Sequence, residues 1–156
     1  MRQGGNETMT QSITLAQADA IADRALQAGR NLNFQPLTVA VLDAGGHLKV
    51  LKRADNSSLL RPDIAIGKAW GALGMGFGGR ELARRAEKVP TFFTALNAMS
   101  GGRMVPVAGG ALIRDQNGVI VGAIGISGDT ADNDEQCVIE AVTGEGLVAD
   151  TGDPRP

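Results

Sequence analysis

The stretch Val105–Asp134, VPVAGGALIRDQNGVIVGAIGISGDTADND, narrows the folds open to this chain more than any other. Two strand-like apolar runs, Ala111–Arg114 and Val119–Ile126, flank Asp115-Gln116-Asn117-Gly118, and Asn-Gly between apolar runs is a strong hairpin signal. Gly109-Gly110 opens the first run, and Gly122, Gly125 and Gly128 punctuate the second. Glycine weakens a strand, so its repetition marks the close approach of a ligand or of another backbone. The chain then passes through Ser127-Gly128-Asp129-Thr130 into a helix expected to be capped near Asp132 or Asp134. A sheet edge without bulk, beside a helix N-terminus with free N–H groups, suits a small polar ligand.

The rest of the chain supplies the layers around that hairpin. Thr14 and Gln17 form a T-x-x-Q capping box, and Leu15, Ala18, Ile21, Ala22, Ala25, Leu26 and Gly29 share one helical face. A second hairpin follows, with strands Leu37–Leu42 and His47–Lys52 joined by Asp43-Ala44-Gly45-Gly46. Pro62 suits the start of the next helix, where its missing N–H costs nothing. From Ile64 to Phe77 the only charge is Lys68, the pattern of a buried helix. Gly67, Gly71 and Gly74 lie along it at i, i+4 and i+7, and a subunit interface is the preferred reason for that stripe. Glu81–Lys88 reads as a short charged helix with Arg80, Arg84, Arg85 and Lys88 on its exposed face. Thr91–Met99 is a further short helix opened by Pro90. The order predicts an α+β domain, an antiparallel sheet of four to five strands with flanking helices. Residues 1–10 are read as a disordered or added extension, with Met9 as a natural start. Residues 11–147 form one domain, and 148–156 a loose C-terminal tail.

Charge is small in sum and uneven along the chain. The net is −2, but residues 1–114 carry 14 basic and 8 acidic side chains, while 115–156 carry 1 basic and 9 acidic. Segments of opposite sign predict contact between them or between subunits. The 22 glycines are about twice the usual share of roughly 7%, and they fall inside apolar runs, as close packing requires. With 3% aromatics, no tyrosine and no basic domain, the chain lacks the stacking platform of a nucleic-acid binder. It shows no spanning segment or signal peptide and has a single cysteine, so a cytoplasmic location is expected. HExxH, CxxC, P-loop and nucleophile-elbow signatures are absent, so no metal site built by the protein is expected.

The motif GGALI…NGVIVGAIGISG…D resembles the closing motif of the GlcG/HbpS-like family, which includes the C-terminal domain of PduO. Val39-Ala40-Val41-Leu42-Asp43-Ala44-Gly45-Gly46-His47-Leu48, and Ala65-Ile66-Gly67-Lys68-Ala69-Trp70 after Arg61-Pro62, agree with it in the same order. The resemblance runs from about Ile13 to Val142. It implies a profilin- or PAS-like sheet, assembly as a homo-oligomer (dimer or higher), and binding of haem or another tetrapyrrole as an accessory to a catabolic pathway.

Beside this stand an enzyme and a purely structural oligomer. As an enzyme the chain would be a lyase, isomerase or hydrolase acting on a small carboxylated or carbonyl compound. Lys68 or Arg61 would then hold the anion, and Asp129 or Asp134 would move the proton. Lys68 is the most informative group, because a lone ammonium in an apolar helix needs a partner or a cavity. Gly109, Gly110, Ser127 and Gly128 complete the expected ligand-binding pocket with Arg61. His47, the only histidine, is the candidate haem ligand, although its place after Gly45-Gly46 suits an exposed turn. Cys137 reads as a small buried hydrophobe.

Overall fold

Helix α1 (Leu15–Asn31) starts at the capping box: the Thr14 hydroxyl accepts from the Gln17 amide, and the Gln17 side chain accepts from the Thr14 amide. The computed structural model describes residues 11–154, so the extension read over 1–10 and the start at Met9 lie outside the described residues. Ala18, Ile21, Ala22, Ala25, Ala28 and Gly29 form the buried stripe of α1, while Leu15 stays in the open.

Strands β1 (Thr38–Asp43) and β2 (Leu48–Arg53) form the first hairpin, and β3 (Gly110–Arg114) and β4 (Ile120–Ser127) the second. Both turns use the same chemistry. Asp43 Oδ1 accepts from the Gly45 and His47 amides, and Asp115 Oδ1 from those of Asn117 and Val119. Gly46 and Gly118 then take φ of 84° and 82°, which L side chains rarely adopt. A fifth strand, β5 (Val148–Asp150), pairs antiparallel with β3. The segment read as a loose tail from residue 148 therefore begins as an edge strand, tied further by Arg114 Nε to Asp150 Oδ2 at 3.0 Å. It is too short for periodicity to reveal. The sheet is antiparallel throughout, in the order β2-β1-β4-β3-β5.

The two faces of the sheet carry different cores. Val39, Val41, Ala111, Ile113, Ile124 and Ile126 pack under α1 and α5 (Ala131–Gly144). Against the other face lies α2 (Arg61–Met75), whose Ala69 joins Leu42 and Ala123. Beneath α2 the register sets Ala40 beside Gly125 and Gly125 beside Gly110. A Cβ on Gly110 would lie 2.6 Å from Lys68 O, and one on Gly125 would run into Ala65 O. The backbone that the strand glycines admit is the chain's own helix.

The stripe on α2 has a different partner from the one expected. A Cβ on Gly67 would sit 2.6 Å from Val105 Cγ2 and 2.8 Å from Arg103 O, and one on Gly71 3.3 Å from Met104 Cγ. The following segment of the same chain fills that groove, where the sequence suggested a subunit interface. Helices α3 (Gly79–Lys88) and α4 (Pro90–Met99) lead into it, with Leu82, Phe93 and Met104 as their core.

The opposed charges of the chain meet inside it. Arg24 pairs with Glu145, Arg114 with Asp150, Lys68 with Asp134, and Arg80 with Asp132 and Glu135. Arg80, read as part of an exposed face, is turned inward: its Nε and Nη2 grip Glu135 at 2.9–3.2 Å. Among the described residues no helix is long and apolar enough to cross a membrane.

The glycines of α2 make opposite predictions. Gly74 meets nothing nearer than Trp70 at 3.9 Å, so Gly74→Ala should raise stability by about 1 kcal/mol through helix propensity. Gly67→Ala should lower it by about 1–3 kcal/mol through overpacking. Urea unfolding midpoints of the two variants check both signs.

Candidate functional site

The lone lysine of α2 lies where the end of β4 meets the start of α5. Lys68 Nζ donates to Ile126 O at 2.8 Å and to Asp134 Oδ2 at 3.3 Å. Asp134 Oδ1 accepts the Asp129 amide at 3.0 Å. Gly109, with φ 102°, passes so near that a Cβ there would stand 2.8 Å from Nζ, and Gly110 packs against the Lys68 backbone. Beside them Arg61 Nη1 donates to Ser127 Oγ at 3.0 Å.

The cap of α5 differs from the expected one. Thr130 is the N-cap, its hydroxyl accepting from the Asn133 amide, while Asp134 sits in the first turn and points inward. Asp129 organises the approach to the helix: Oδ2 accepts from Gln35 N at 2.7 Å, and Oδ1 from Thr130 N and Asn133 Nδ2 at 2.8 and 2.7 Å. Gly128 closes against Pro36 O and Leu37, where a side chain would collide.

The structure thus gathers Lys68, Asp129, Asp134, Arg61, Gly109, Gly110, Ser127 and Gly128 into one polar region. It does not bring His47 there. His47 stands in the β1–β2 turn, at the far end of β1 from the Thr38–Ser127 pairing, with its side chain 84% exposed. Cys137 is fully buried, and burial pushes its thiol up to about 12.

Burial dominates the electrostatics of the pair. It drives the Lys68 ammonium below its ordinary pKa and the Asp134 carboxyl above its own, each against the attraction of the other. The Asp129 carboxyl goes the opposite way, held below 3.8 by the N–H groups of Gln35, Thr130 and Asn133. Lys68 is 4% exposed, Asp134 1% and Ser127 1%. Among the described residues every fully buried side-chain nitrogen or oxygen has a hydrogen-bond partner. The Lys68–Asp134 pair binds α2, β4 and α5 together and is itself closed off from solvent, while Arg61 and Asp129 at its margin stay partly exposed. No group of three or more His, Cys, Asp or Glu able to hold a metal gathers among the described residues.

Ligand-sized space lies elsewhere, on residues the sequence reading passed over. A cleft of about 460 Å³ opens between the first hairpin and α2, lined by Leu42, Gly46, Leu48, Ile66, Trp70 and Val105, with Arg103 and Asp63 at its rim. The Arg103 guanidinium stacks on the Trp70 ring at 4.0 Å. A second cleft, about 480 Å³, lies between the end of α1 and the end of β2. Trp70, the only tryptophan, carried a signal as the one large aromatic in its apolar helix; the second cleft, built from the end of α1, the loop 34–37 and the end of β2, carried none.

The buried pair yields a test with a definite sign. Lys68→Met leaves a buried carboxylate without its cation and should cost about 3–5 kcal/mol at neutral pH. A carboxyl whose folded pKa is raised binds more protons folded than unfolded, so stability from it grows as pH falls through that pKa toward 3.8. The deficit of the variant should therefore narrow on acidification, as urea unfolding from neutral pH downward would show.

With the geometry in place, likeness to known proteins is informative. The chain is 29% identical over 123 residues to an uncharacterized 15.0 kDa protein of the dhaT-dhaS intergenic region of Citrobacter freundii, covering 79% of this chain and 84% of that one. It matches the corrinoid adenosyltransferase PduO of Salmonella typhimurium at 28% over 129 residues, 82% of this chain but 37% of that protein. A double mutant of Streptomyces reticuli HbpS superimposes with a TM-score of 0.76 at 29% identity, over 92% of this chain and 94% of that one. A PduOC:heme complex shares the fold, with a TM-score of 0.77 at 23% identity over 91% and 99%. The family model described as haem degrading protein HbpS-like matches residues 13–143, and the chain belongs to that family.

Proposed function

We propose that this chain is a small-ligand-binding domain of the HbpS type that takes haem or a related tetrapyrrole in the cleft beside Trp70. The observation that carries the reading is the chemistry of that cleft: apolar walls, a large aromatic face and an arginine at the rim, in about 460 Å³. Leu48, Ile66, Trp70 and Val105 fit the faces of a macrocycle, and Arg103, now stacked on Trp70, fits a propionate. Family membership and the haem complex of PduOC support the same ligand.

His47 follows Gly46 of the cleft wall and is the candidate iron ligand. Its Nδ1 lies 3.5 Å from Asp43 Oδ1, and a carboxylate on one ring nitrogen is the usual support for a histidine that ligates through the other. Burial raises the Asp43 carboxyl, but N–H bonds from His47 and Gly45 outweigh it and keep the group ionised. Cys137, buried and with its thiol at about 12, does not serve. When bound, the haem supplies redox chemistry at iron. The protein's own residues cover the ring, hold its carboxylates and limit water.

No observation of equal weight favours an enzyme on a small carbonyl compound, since Lys68 and Asp134 are closed off and both oxygens of Asp129 are engaged. Self-assembly belongs to the proposal, supported by Leu59, Leu60, Phe92 and Met99, which stand in the open.

Haemin titration of the full chain, followed by Soret absorbance and Trp70 fluorescence, tests the reading. Saturable one-to-one binding that survives excess albumin, with a shifted Soret band in His47→Ala and about tenfold weaker binding in Arg103→Ala, is expected. Unsaturable binding that albumin removes would overturn it.

A further inference from the structure

The second cleft points to a site that the tetrapyrrole reading does not use. Its floor is Leu26, Phe34 and Leu37, and Arg30 and Arg53 stand on its two sides with Asp55. Arg30 is the last-turn arginine of α1, and its Nη2 donates to Gln27 Oε1 at 2.8 Å. Arg53 ends β2, and its Nη1 donates to Ser57 O at 2.7 Å. Neither arginine meets a carboxylate among the described residues, although Arg24, Arg80, Arg84, Arg85 and Arg114 all do. Two guanidiniums, each steered by a neutral acceptor and left without a counterion across an apolar floor, form an anion-holding arrangement.

The walls are prepared in advance. Asn33 and Asn56, with φ of 56° and 69°, are the only non-glycine residues of positive φ among the described residues, and each adjoins a lining residue of this cleft. Such backbone persists where its surroundings over-determine it. Here the loop 33–37 is fixed by the bond from Gln35 N to Asp129 and by the close seat of Gly128 under Pro36 and Leu37. The amides of Leu32, Asn33 and Phe34 take up carbonyls of the last turn of α1, which would otherwise repel an anion. A wall that is ordered before the ligand arrives lowers the cost of binding.

We infer that this cleft binds a small organic acid: a carboxylate held between Arg30 and Arg53, an apolar carbon body on Leu26, Phe34 and Leu37, and a hydroxyl donor facing Asp55. The site shares no lining residue with the Trp70 cleft, so it stands or falls separately from haem binding.

Mandelate is a suitable probe, because it carries a carboxylate, a hydroxyl and an apolar ring. In amide-resolved NMR of the full chain, mandelate should shift the Gln35, Leu37 and Ala54 resonances saturably. Arg53→Gln and Arg30→Gln should each weaken binding about tenfold, with the rest of the spectrum unchanged. Benzyl alcohol, which lacks the carboxylate, should shift nothing. Unsaturable shifts, equal response to benzyl alcohol, or unaltered affinity in both variants would overturn the inference. Inorganic phosphate saturating the same resonances as tightly as mandelate would overturn the assignment to organic acids.

Discussion

The fold depends on how closely α2 can lie on the sheet. A helix on a sheet normally stands off by the depth of two layers of side chains, but here Gly110 and Gly125 leave the backbone of Ala65–Ala69 resting on β3 and β4. Ala40 continues the low row onto β1. Close packing gains dispersion contacts over the length of the helix while giving up the larger transfer term of bulky side chains. The opposite face makes the other choice, with valine and isoleucine under α1 and α5. The sheet is therefore thin on one side and thick on the other.

The thin side explains the buried ion pair. With α2 pressed against β4, the third turn of the helix falls level with Ile126 O and the first turn of α5, and a long side chain at that position has nowhere apolar to end. Lysine bridges the gap to Ile126 O and Asp134. An ion pair in such a place adds little net stability, because desolvation of both charges offsets their attraction. Its effect is geometric: it fixes the height of α2 against α5, since any slip would leave two charges unpaired. Gly109 belongs to the same device, its missing side chain giving Nζ its room.

Much of this was legible in the sequence because local chemistry decided it. The capping box of α1, the aspartate-plus-glycine turns of both hairpins and Pro62 at the start of α2 each rest on residues within five positions of one another. That Lys68, Asp129, Asp134, Arg61 and Ser127 gather beside Gly109, Gly110 and Gly128 was legible too, although these residues line neither of the two clefts. What failed was the identity of partners distant in the chain. Glycine predicts a close neighbour but does not say which. The strand glycines left a ligand or another backbone open, and the backbone of α2 is what Gly110 and Gly125 meet. The α2 stripe suggested a second subunit where Gly67 and Gly71 meet the chain's own segment 103–105. Arg80 shows the same limit: on a helical wheel it joins Arg84 and Lys88, and only the fold brings Glu135 to it. β5 is too short to carry a period, and its strand character comes wholly from pairing with β3.

Closure of the Lys68–Asp134 pair also shifts where recognition belongs. A buried pair such as Lys68 and Asp134, each taken up by the other, can position helices, but it has little capacity left for a ligand. Capacity remains where a charge lacks its complement, and that condition is met along the first hairpin. β2 is an edge strand, so both ends of the hairpin stand clear of the stacked core. Its turn end faces α2 with Trp70 and Arg103, and its open end faces α1 with Arg30 and Arg53. The arginines at both ends are among the cations that pair with no carboxylate of the acidic C-terminal third, whose Glu145, Asp134, Asp132, Glu135 and Asp150 are taken by Arg24, Lys68, Arg80 and Arg114. The uneven charge of the sequence thus does two things at once: it closes the domain on one side and leaves the hairpin side able to receive an acid.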